Sequence, residues 1–391
     1  MKKILFALQT MVMGGVEKEL ITVLQELDPK ETEATVLVMY EQDASIMEKI
    51  PCWVKVINLN IDRNYYCADT WAVAKQRIRK GKLFEAFSLI AKKLLRIGQT
   101  GSNINIKNIP ALDEQYDTAV CYHIHSPLTV KYIAKKVTAQ KQVGWIHNDF
   151  STSGYRADKI KKYLNCYDLF VAVSEKIKLE FLNLCPAYTS KTKTVYNFLN
   201  QKEIIDKSLE PIKEDHFFNN PSRFSLLTVG RLENQKGYDI AIQVAKILKA
   251  RGLNFLWCFI GSGSSESEIT KQISDFDLCG NIKLLGRKEN PYNYMKNCDI
   301  YIQPSRHEGY CLTVIEAKIL AKPIVITDFA GANEQIKNGV NGIIVPCNDT
   351  EKIADAIMNL ANNSKQMLQF SRALEEERRQ TQGFDQILEC L

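Results

Sequence analysis

The feature that most constrains this chain is an alternation, run through twice, of short apolar runs with stretches of helical periodicity. Apolar runs of strand length fall at residues 2–8, 34–39, 54–59, 118–122, 142–146, 169–173 and 194–196. Between several of them apolar residues recur at helical spacing, as Leu20, Val23, Leu24 and Leu27 do within 17–27. Strands that alternate with helices read as a mostly parallel sheet covered on both faces. A polar, Pro-containing segment through Pro221 then suits a connection between domains. The pattern restarts after it, with strands predicted at 224–229, 255–260, 283–285, 300–303, 323–327 and 342–345 and helices at 238–250, 266–274, 291–296, 312–320 and 350–360. At 391 residues the chain exceeds the usual size of one domain. The expected class is α/β with two doubly wound, Rossmann-like domains, residues 1–197 and 198–370.

Composition narrows the class further. With 45% hydrophobic and 25% charged residues, the chain has apolar content for two cores and reads as soluble and globular. No apolar run is long enough to span a bilayer. Residues 1–8 superficially resemble a signal peptide, but the apolar run stops at Gln9 without a small-residue cleavage site, so a buried first strand is expected. The 11 cysteines include no Cys-x-x-Cys, and several, such as Cys121, Cys258 and Cys298, lie in apolar runs. That usage fits buried thiols in a reducing cytoplasm.

Charge is uneven. Residues 1–200 carry 28 Lys and Arg against 20 Asp and Glu, a balance of +8, while the remainder carries 23 against 25, or −2. Much of the excess lies in 71–107, where Lys75, Arg77, Arg79, Lys80, Lys82, Lys92, Lys93, Arg96 and Lys107 face a single acid, Glu85. Apolar residues such as Phe84, Phe87 and Leu94 are interleaved. A basic amphipathic segment of this kind suits an anionic membrane surface, or a helix packed on its own domain with a solvated basic face. Nucleic acid is the other partner such a stretch admits; the reading adopted has no nucleic-acid partner.

The chemistry concentrates at predicted strand ends. Residues 305–317, Ser-Arg-His-Glu-Gly-Tyr-Cys-Leu-Thr-Val-Ile-Glu-Ala, run from a buried strand through a loop into a helix. A helix start offers unpaired N–H groups and a positive dipole end, which suit phosphate. Gly309 allows close approach of the backbone. Glu308 and Glu316 bracket the turn, and carboxylates accept paired hydrogen bonds from vicinal hydroxyls. Thr313 with Glu316 also fits a capping box, in which Glu316 only satisfies backbone donors. Two more strand ends carry Arg231 with Lys236, and Gly261-Ser262-Gly263. Arg supplies a bidentate fork for phosphate oxygens and Lys a point charge. Doubly wound sheets gather such loops at one crevice.

In the first half, Gly14 and Gly15 sit between a strand and a helix start. His147 belongs to the polar cluster Trp145-Ile146-His147-Asn148-Asp149, which ends another strand; His123 and His125 carry weaker signals. Asp275-Phe276-Asp277 has the Asp-x-Asp form that holds a metal in some sugar-transferring enzymes, but it falls at the tail of a predicted helix. No metal site is expected.

Gly-Arg-Leu-x-x-x-Lys-Gly from Gly230 and Glu-Gly-x-x-x-x-x-x-Glu-Ala from Glu308, following a Gly-Gly loop near the N-terminus, resemble glycosyltransferase family 4, of the group 1 type. The resemblance is strong over 224–347 and thinner over 1–200, where Gly14-Gly15-Val16 and His147 match. It implies the GT-B fold, two Rossmann-like domains facing a cleft, with the segment 371–391 crossing back to the first domain. It implies a nucleotide-sugar donor, expected to be a UDP-sugar, as substrate, with no cofactor and no catalytic metal. Carried over, Arg231 and Lys236 contact the donor diphosphate and Glu316 the ribose. Glu308 lies by the donor hexose, and backbone N–H groups of Gly309, Tyr310, Cys311, Leu312 and Thr313 cradle sugar and phosphate. Backbone around Arg287 meets the base, and Gly261, from the strand-end Gly-Ser-Gly, is a further donor-binding candidate. Gly14 and Gly15 approach the donor from the first domain, and His147 lies near the reacting sugar. Glu308 and His147 are the candidate catalytic residues. Many relatives carry Pro or Gly where this chain has Cys311, which bears on the donor hexose accepted.

The expected function is therefore retaining transfer of a hexose to a saccharide acceptor, lipid-linked by the reading of 71–107, in synthesis of a bacterial-type surface polysaccharide. The expected location is cytoplasmic, peripheral on the membrane's inner face. A leaving diphosphate would be stabilised electrostatically, and no side chain stands out as a nucleophile. A nucleotide-sugar epimerase of the same fold and a non-catalytic membrane- or RNA-binding module are the alternatives.

Overall fold

The structure is a computed structural model and describes residues 1–12, 14–40, 42–61, 106, 109–148, 150, 160–212, 222–380 and 383–391. Apart from Ile106, the basic stretch 71–107 lies outside these residues, as does Asp149 of the strand-end cluster. The chain divides into two compact units. The first comprises Met1–Ala172, Glu180–Lys193 and Gln386–Leu391, the second Val173–Leu179 and Thr194–Asp385.

The first unit is built on β1 (Lys2–Leu8), β2 (Thr32–Val38), β3 (Lys55–Asn58), β4 (Gln115–Cys121), β5 (Thr138–Ile146), β6 (Leu169–Ala172) and β7 (Thr192–Thr194). Their order in the sheet is β3-β2-β1-β4-β5-β6-β7. β1 runs parallel to both neighbours, with Ile4 opposite Ala34 and Thr118. Ile4 to Leu8 are buried without alternation, as a central strand of a doubly covered parallel sheet requires. The helix Gly15–Glu26 follows β1 and buries Leu20, Ile21, Val23 and Leu24.

The second unit holds β8 (Phe224–Val229), β9 (Phe255–Ile260), β10 (Ile282–Leu284), β11 (Ile300–Gln303), β12 (Ile324–Thr327) and β13 (Ile343–Val345), in the order β10-β9-β8-β11-β12-β13. Adjacent residues along its strands enter opposite cores. Leu226, Trp257, Ile302 and Val325 join one apolar cluster with Ala241, Val244, Leu248, Ile353 and Ile357. Leu227, Cys258, Tyr301 and Ile326 join another with Met295, Val314 and Ala317. The period-two side-chain alternation of a strand thus feeds both faces of one sheet.

The division of the chain differs from the expected one at its edges. The main crossing falls between Lys193 and Thr194, and of 371–391 only Gln386–Leu391 belongs to the first unit. The reason is packing: the helix Ser364–Gln380 buries Phe370 and Leu374 in the two clusters of the second unit. The strand expected at 194–196 is instead β7, Thr192–Thr194.

Candidate active site

In the second sheet the strand order turns back on itself between β8 and β11, the position where doubly wound sheets open a crevice at their C-terminal ends. The loop after β8 carries Arg231 and Lys236 and ends at Gly237, whose φ is 71°. A Cβ there would come within 1.9 Å of the Pro304 carbonyl oxygen, so only glycine lets this loop reach the one after β11. Further bonds lace the two loops. Arg306 forms a fork on Asp239 at 2.8 and 2.6 Å. Arg306 N–H donates to the Gln235 carbonyl at 2.8 Å, and Gln235 Nε2 to the His307 carbonyl at 2.7 Å.

The lacing brings Lys236 Nζ to 2.7 Å from Glu308 Oε1, with the two side chains only 15% and 9% exposed. Glu308 Oε1 also accepts from Ser305 Oγ at 2.6 Å. Behind it Gln303 Nε2 donates to Ser305 Oγ at 2.8 Å, and Gln303 Oε1 accepts from Tyr301 and Thr313 hydroxyls at 2.5 and 3.0 Å. A hydrogen-bonded chain therefore ties Glu308 down to β11. Burial works to lower the Lys236 pKa, but the Glu308 carboxylate more than offsets it and the ammonium is held above its ordinary value. Arg231 differs: its side chain is 56% exposed and pairs with Glu233 at 3.2 Å.

The loop after β11 leads into the helix Leu312–Ile319, whose N-cap is Cys311 without a side-chain cap bond. Two expectations are corrected here. Thr313 lies inside the helix and its hydroxyl serves Gln303, so Thr313 and Glu316 form no capping box. The Cys311 N–H donates to Gln335 Oε1 at 3.2 Å, and Gln335 Nε2 returns a bond to the Cys311 carbonyl at 2.9 Å. With its N–H taken, Cys311 leaves the set of backbone donors, and Leu312 and Thr313 open the first turn. Its thiol, pushed up to about 12 by burial, acts as a small apolar filler. Elsewhere on the loop, Ser174 Oγ donates to the Gly309 carbonyl and Asn197 Nδ2 to the Tyr310 carbonyl, both at 3.4 Å. The Tyr310 ring sits 5.1 Å from that of Tyr196. Glu316, on the helix, is 1% exposed.

Gly261, after β9, has φ 151°, and a Cβ on it would meet the Gly230 carbonyl oxygen at 1.8 Å. Its N–H donates to the Gly286 carbonyl at 2.9 Å. Loops after β8, β9 and β10 are thereby stitched side by side, with exposed Arg287 next along the chain. Asp277 has φ 52° and pairs with Lys249 at 2.8 Å, closing the end of the helix Glu266–Asp275. Gln335, Ser305, Arg306, Asp239 and Ser174 were not singled out from sequence, because polar residues that brace a loop through space carry no local spacing.

Gly14, Gly15 and His147 belong to the first unit. Its strand order turns back between β1 and β4, and all three lie at the C-terminal ends of β1 and β5. Gly14 is the N-cap of Gly15–Glu26 in extended conformation; a Cβ on it would meet Glu17 Oε2 at 2.4 Å. His147 is 5% exposed. Burial first, and then His123 and His125, hold its pKa well below the ordinary value, so the imidazole is neutral. Its Nδ1 lies 3.5 Å from Glu19 Oε2.

Two doubly wound parallel sheets in one chain, the second with a cation–carboxylate pair and an open helix start at its switch point, form the GT-B plan of glycosyltransferases. The family described as glycosyl transferases group 1 matches residues 211–377, so the likeness to that group lies in the second half of the chain. Over 315 residues it is 25% identical to the amylovoran biosynthesis glycosyltransferase AmsK of Erwinia amylovora, covering 72% of this chain and 74% of that protein. It is 28% identical over 218 residues to the capsular polysaccharide biosynthesis glycosyltransferase CapM of Staphylococcus aureus, covering 54% and 56%. A Campylobacter jejuni enzyme named N-acetylgalactosamine-N,N'-diacetylbacillosaminyl-diphospho-undecaprenol 4-alpha-N-acetylgalactosaminyltransferase is 27% identical over 177 residues, covering 45% and 46%. The chain thus spans about half the length of the last two. Among solved structures, Anabaena HepE in complex with UDP and glucose superposes with a TM-score of 0.73 at 18% identity, over 100% of this chain and 99% of that one. No helix among the described residues is long and apolar enough to cross a membrane.

Proposed function

We propose that the chain transfers a hexose, with retention of configuration and without a metal, from a UDP-sugar to a saccharide acceptor in surface polysaccharide synthesis. The observation that carries the reading is the Lys236–Glu308 pair, 2.7 Å apart, set beside an open helix start at the switch point of the second sheet. Lys236 supplies a buried positive charge and Arg231 a bidentate one for a diphosphate. The N–H groups of Leu312 and Thr313 add the donors of a helix start. Glu308 accepts hydrogen bonds from hexose hydroxyls, and buried Glu316 those of the ribose. Charge building on the leaving diphosphate is met by groups already in place, which lowers the barrier without a nucleophile.

The names of the Erwinia, Staphylococcus and Campylobacter relatives support a polysaccharide role, and the last supports a polyprenyl-diphosphate-linked acceptor. The basic composition of 71–107 suits such an acceptor, since each Lys or Arg near an anionic leaflet is worth about 1 kcal/mol.

A thermal-shift screen of UDP-, GDP- and ADP-hexoses tests the donor, because a ligand of the folded state raises its stability by mass action. A UDP-hexose is expected to stand out, with transfer to a polyprenyl-diphosphate saccharide persisting in EDTA. Stabilisation by none of them, or activity lost in EDTA and restored by manganese, overturns the reading.

A further inference from the structure

We infer that Glu19 is a positioning residue for His147, holding the ring proton on Nδ1 so that Nε2 presents a lone pair to a saccharide hydroxyl. The inference rests on the reading of His147 as a sugar-site residue, and it adds a partner that no motif marks.

Glu19 lies on the helix Gly15–Glu26, on its buried side, and His147 just beyond β5. Their side chains are 1% and 3% exposed, with Oε2 3.5 Å from Nδ1. The backbone carbonyl of Tyr122 also faces the ring as an acceptor. The Tyr122 carbonyl takes the Nδ1 proton, and Glu19 Oε2, 3.5 Å off and itself without a hydrogen-bond partner among the described residues, adds a second oxygen on the same side of the ring that favours the proton there. Nε2 is buried and has no hydrogen-bond partner among the described residues. A buried polar atom left without a partner costs roughly 1–3 kcal/mol, and such an atom at the C-terminal edge of a doubly wound sheet is where a ligand group would satisfy it. The Tyr122 ring, 4.9 Å from that of His147 and stacked on Trp145 at 5.4 Å, fixes the plane. Groups facing the pair are the Tyr122 hydroxyl on Glu19, and His123 and His125 on His147. Burial keeps His123 neutral by pushing it down to about 4.

Glu19 is an expensive residue to bury for packing alone. Desolvation pushes its carboxyl up to about 8, with the Tyr122 hydroxyl opposing. A carbonyl-type oxygen suffices to face Nδ1, so protonated Glu19 still serves, and Gln can replace it.

The test is histidine-selective nitrogen-15 NMR of the full chain, which reads the tautomer of each ring, combined with UDP release from UDP-glucose, UDP-galactose and UDP-N-acetylglucosamine. The wild-type His147 resonance, assigned by its loss in His147→Ala, is expected in the neutral Nδ1–H form. Glu19→Gln should keep that form, and Glu19→Leu should convert a measurable share to Nε2–H. Turnover should fall about tenfold or more in Glu19→Leu, as in His147→Ala, with donor KM nearly unchanged, and stay within about threefold in Glu19→Gln. A wild-type Nε2–H or imidazolium signal overturns the inference, and it does so even if Glu19→Leu fails to fold. An unmoved tautomer in folded Glu19→Leu overturns it as well. A shifted tautomer with unchanged turnover supports the positioning while refuting the sugar-site reading of His147.

Discussion

Lys236 Nζ stands 2.7 Å from Glu308 Oε1, and both side chains are largely out of water. A phosphate oxygen and a sugar hydroxyl are the chemical groups that such a cation and such an anion would each recognise. On the proposed reading the pair would offer one group for each half of a nucleotide sugar, pre-set by Ser305 and Gln303 behind it.

The pair separates the two cations of the loop. Arg231→Ala should leave stability within about 0.5 kcal/mol, since its side chain is mostly exposed. Donor affinity should fall about tenfold or more, the loss of a charge-assisted hydrogen bond. Lys236→Ala should weaken the donor as much and also destabilise the fold by about 3 kcal/mol, because it strands a buried carboxylate. Adding Glu308→Gln to Lys236→Ala should recover much of that stability without recovering donor affinity. Urea denaturation with donor titration checks all three, and equal stability of the two single variants would refute the assignment.

Gln335 is expected to act on the donor through Cys311. Its side-chain amide holds both the N–H and the carbonyl of that residue. Gln335→Leu removes both bonds and should cost about 1–3 kcal/mol while lowering donor affinity. Gln335→Glu keeps an acceptor for the N–H but loses the donor for the carbonyl, and should fall between. Donor affinity measured by calorimetry decides it; affinities equal to wild type in both variants would return Gln335 to a purely structural role.

Much of this architecture was legible in the sequence because its signals are local. β9 is an unbroken apolar run and β1, β8 and β11 are mostly apolar, and the glycine at 237 falls where a close loop approach needs it. What escaped is what depends on the other loop. Nothing near Gln335 announces that its amide grips Cys311 across 24 positions, and nothing near Glu19 announces His147. The capping-box reading of Thr313 failed because Gln303, reached only through the fold, took the hydroxyl.

Glu316→Gln should weaken donor binding more than stability. Thr313 and Glu316 form no capping box, so the change disturbs no cap bond between them. Gln keeps the shape but replaces one carboxylate oxygen with a donor, which halves its capacity to accept a pair of ribose hydroxyls. Donor affinity is expected to fall roughly tenfold, with the deoxy-ribose form of the nucleotide losing less. Unchanged affinity for both nucleotides would exclude the ribose contact.

The buried Glu19–His147 pair sets a pH dependence of stability whose sign can be worked out. The Glu19 carboxyl is raised from 4.5 to about 8. Between those values the unfolded chain has lost a proton that the folded chain keeps, so folding takes up a proton and stability falls as pH rises. This contribution is complete below 4.5 and is lost through about 8. His147 acts in the opposite sense: its folded value lies well below 6.5, so stability drops as pH falls below 6.5 and is flat above it. The two oppose each other from 4.5 to 6.5, and Glu19 acts alone from 6.5 to about 8. At about 1.4 kcal/mol per pKa unit, wild-type stability should decline by ~2 kcal/mol across that upper window. Tyr122 does not interfere, since burial and Glu19 raise its hydroxyl well above its ordinary value. In Glu19→Gln the decline should vanish while the loss at acid pH remains. Urea unfolding at a series of pH values, wild type against Glu19→Gln, reads the slopes directly, and an equal decline in both proteins would show that Glu19 is not the group responsible.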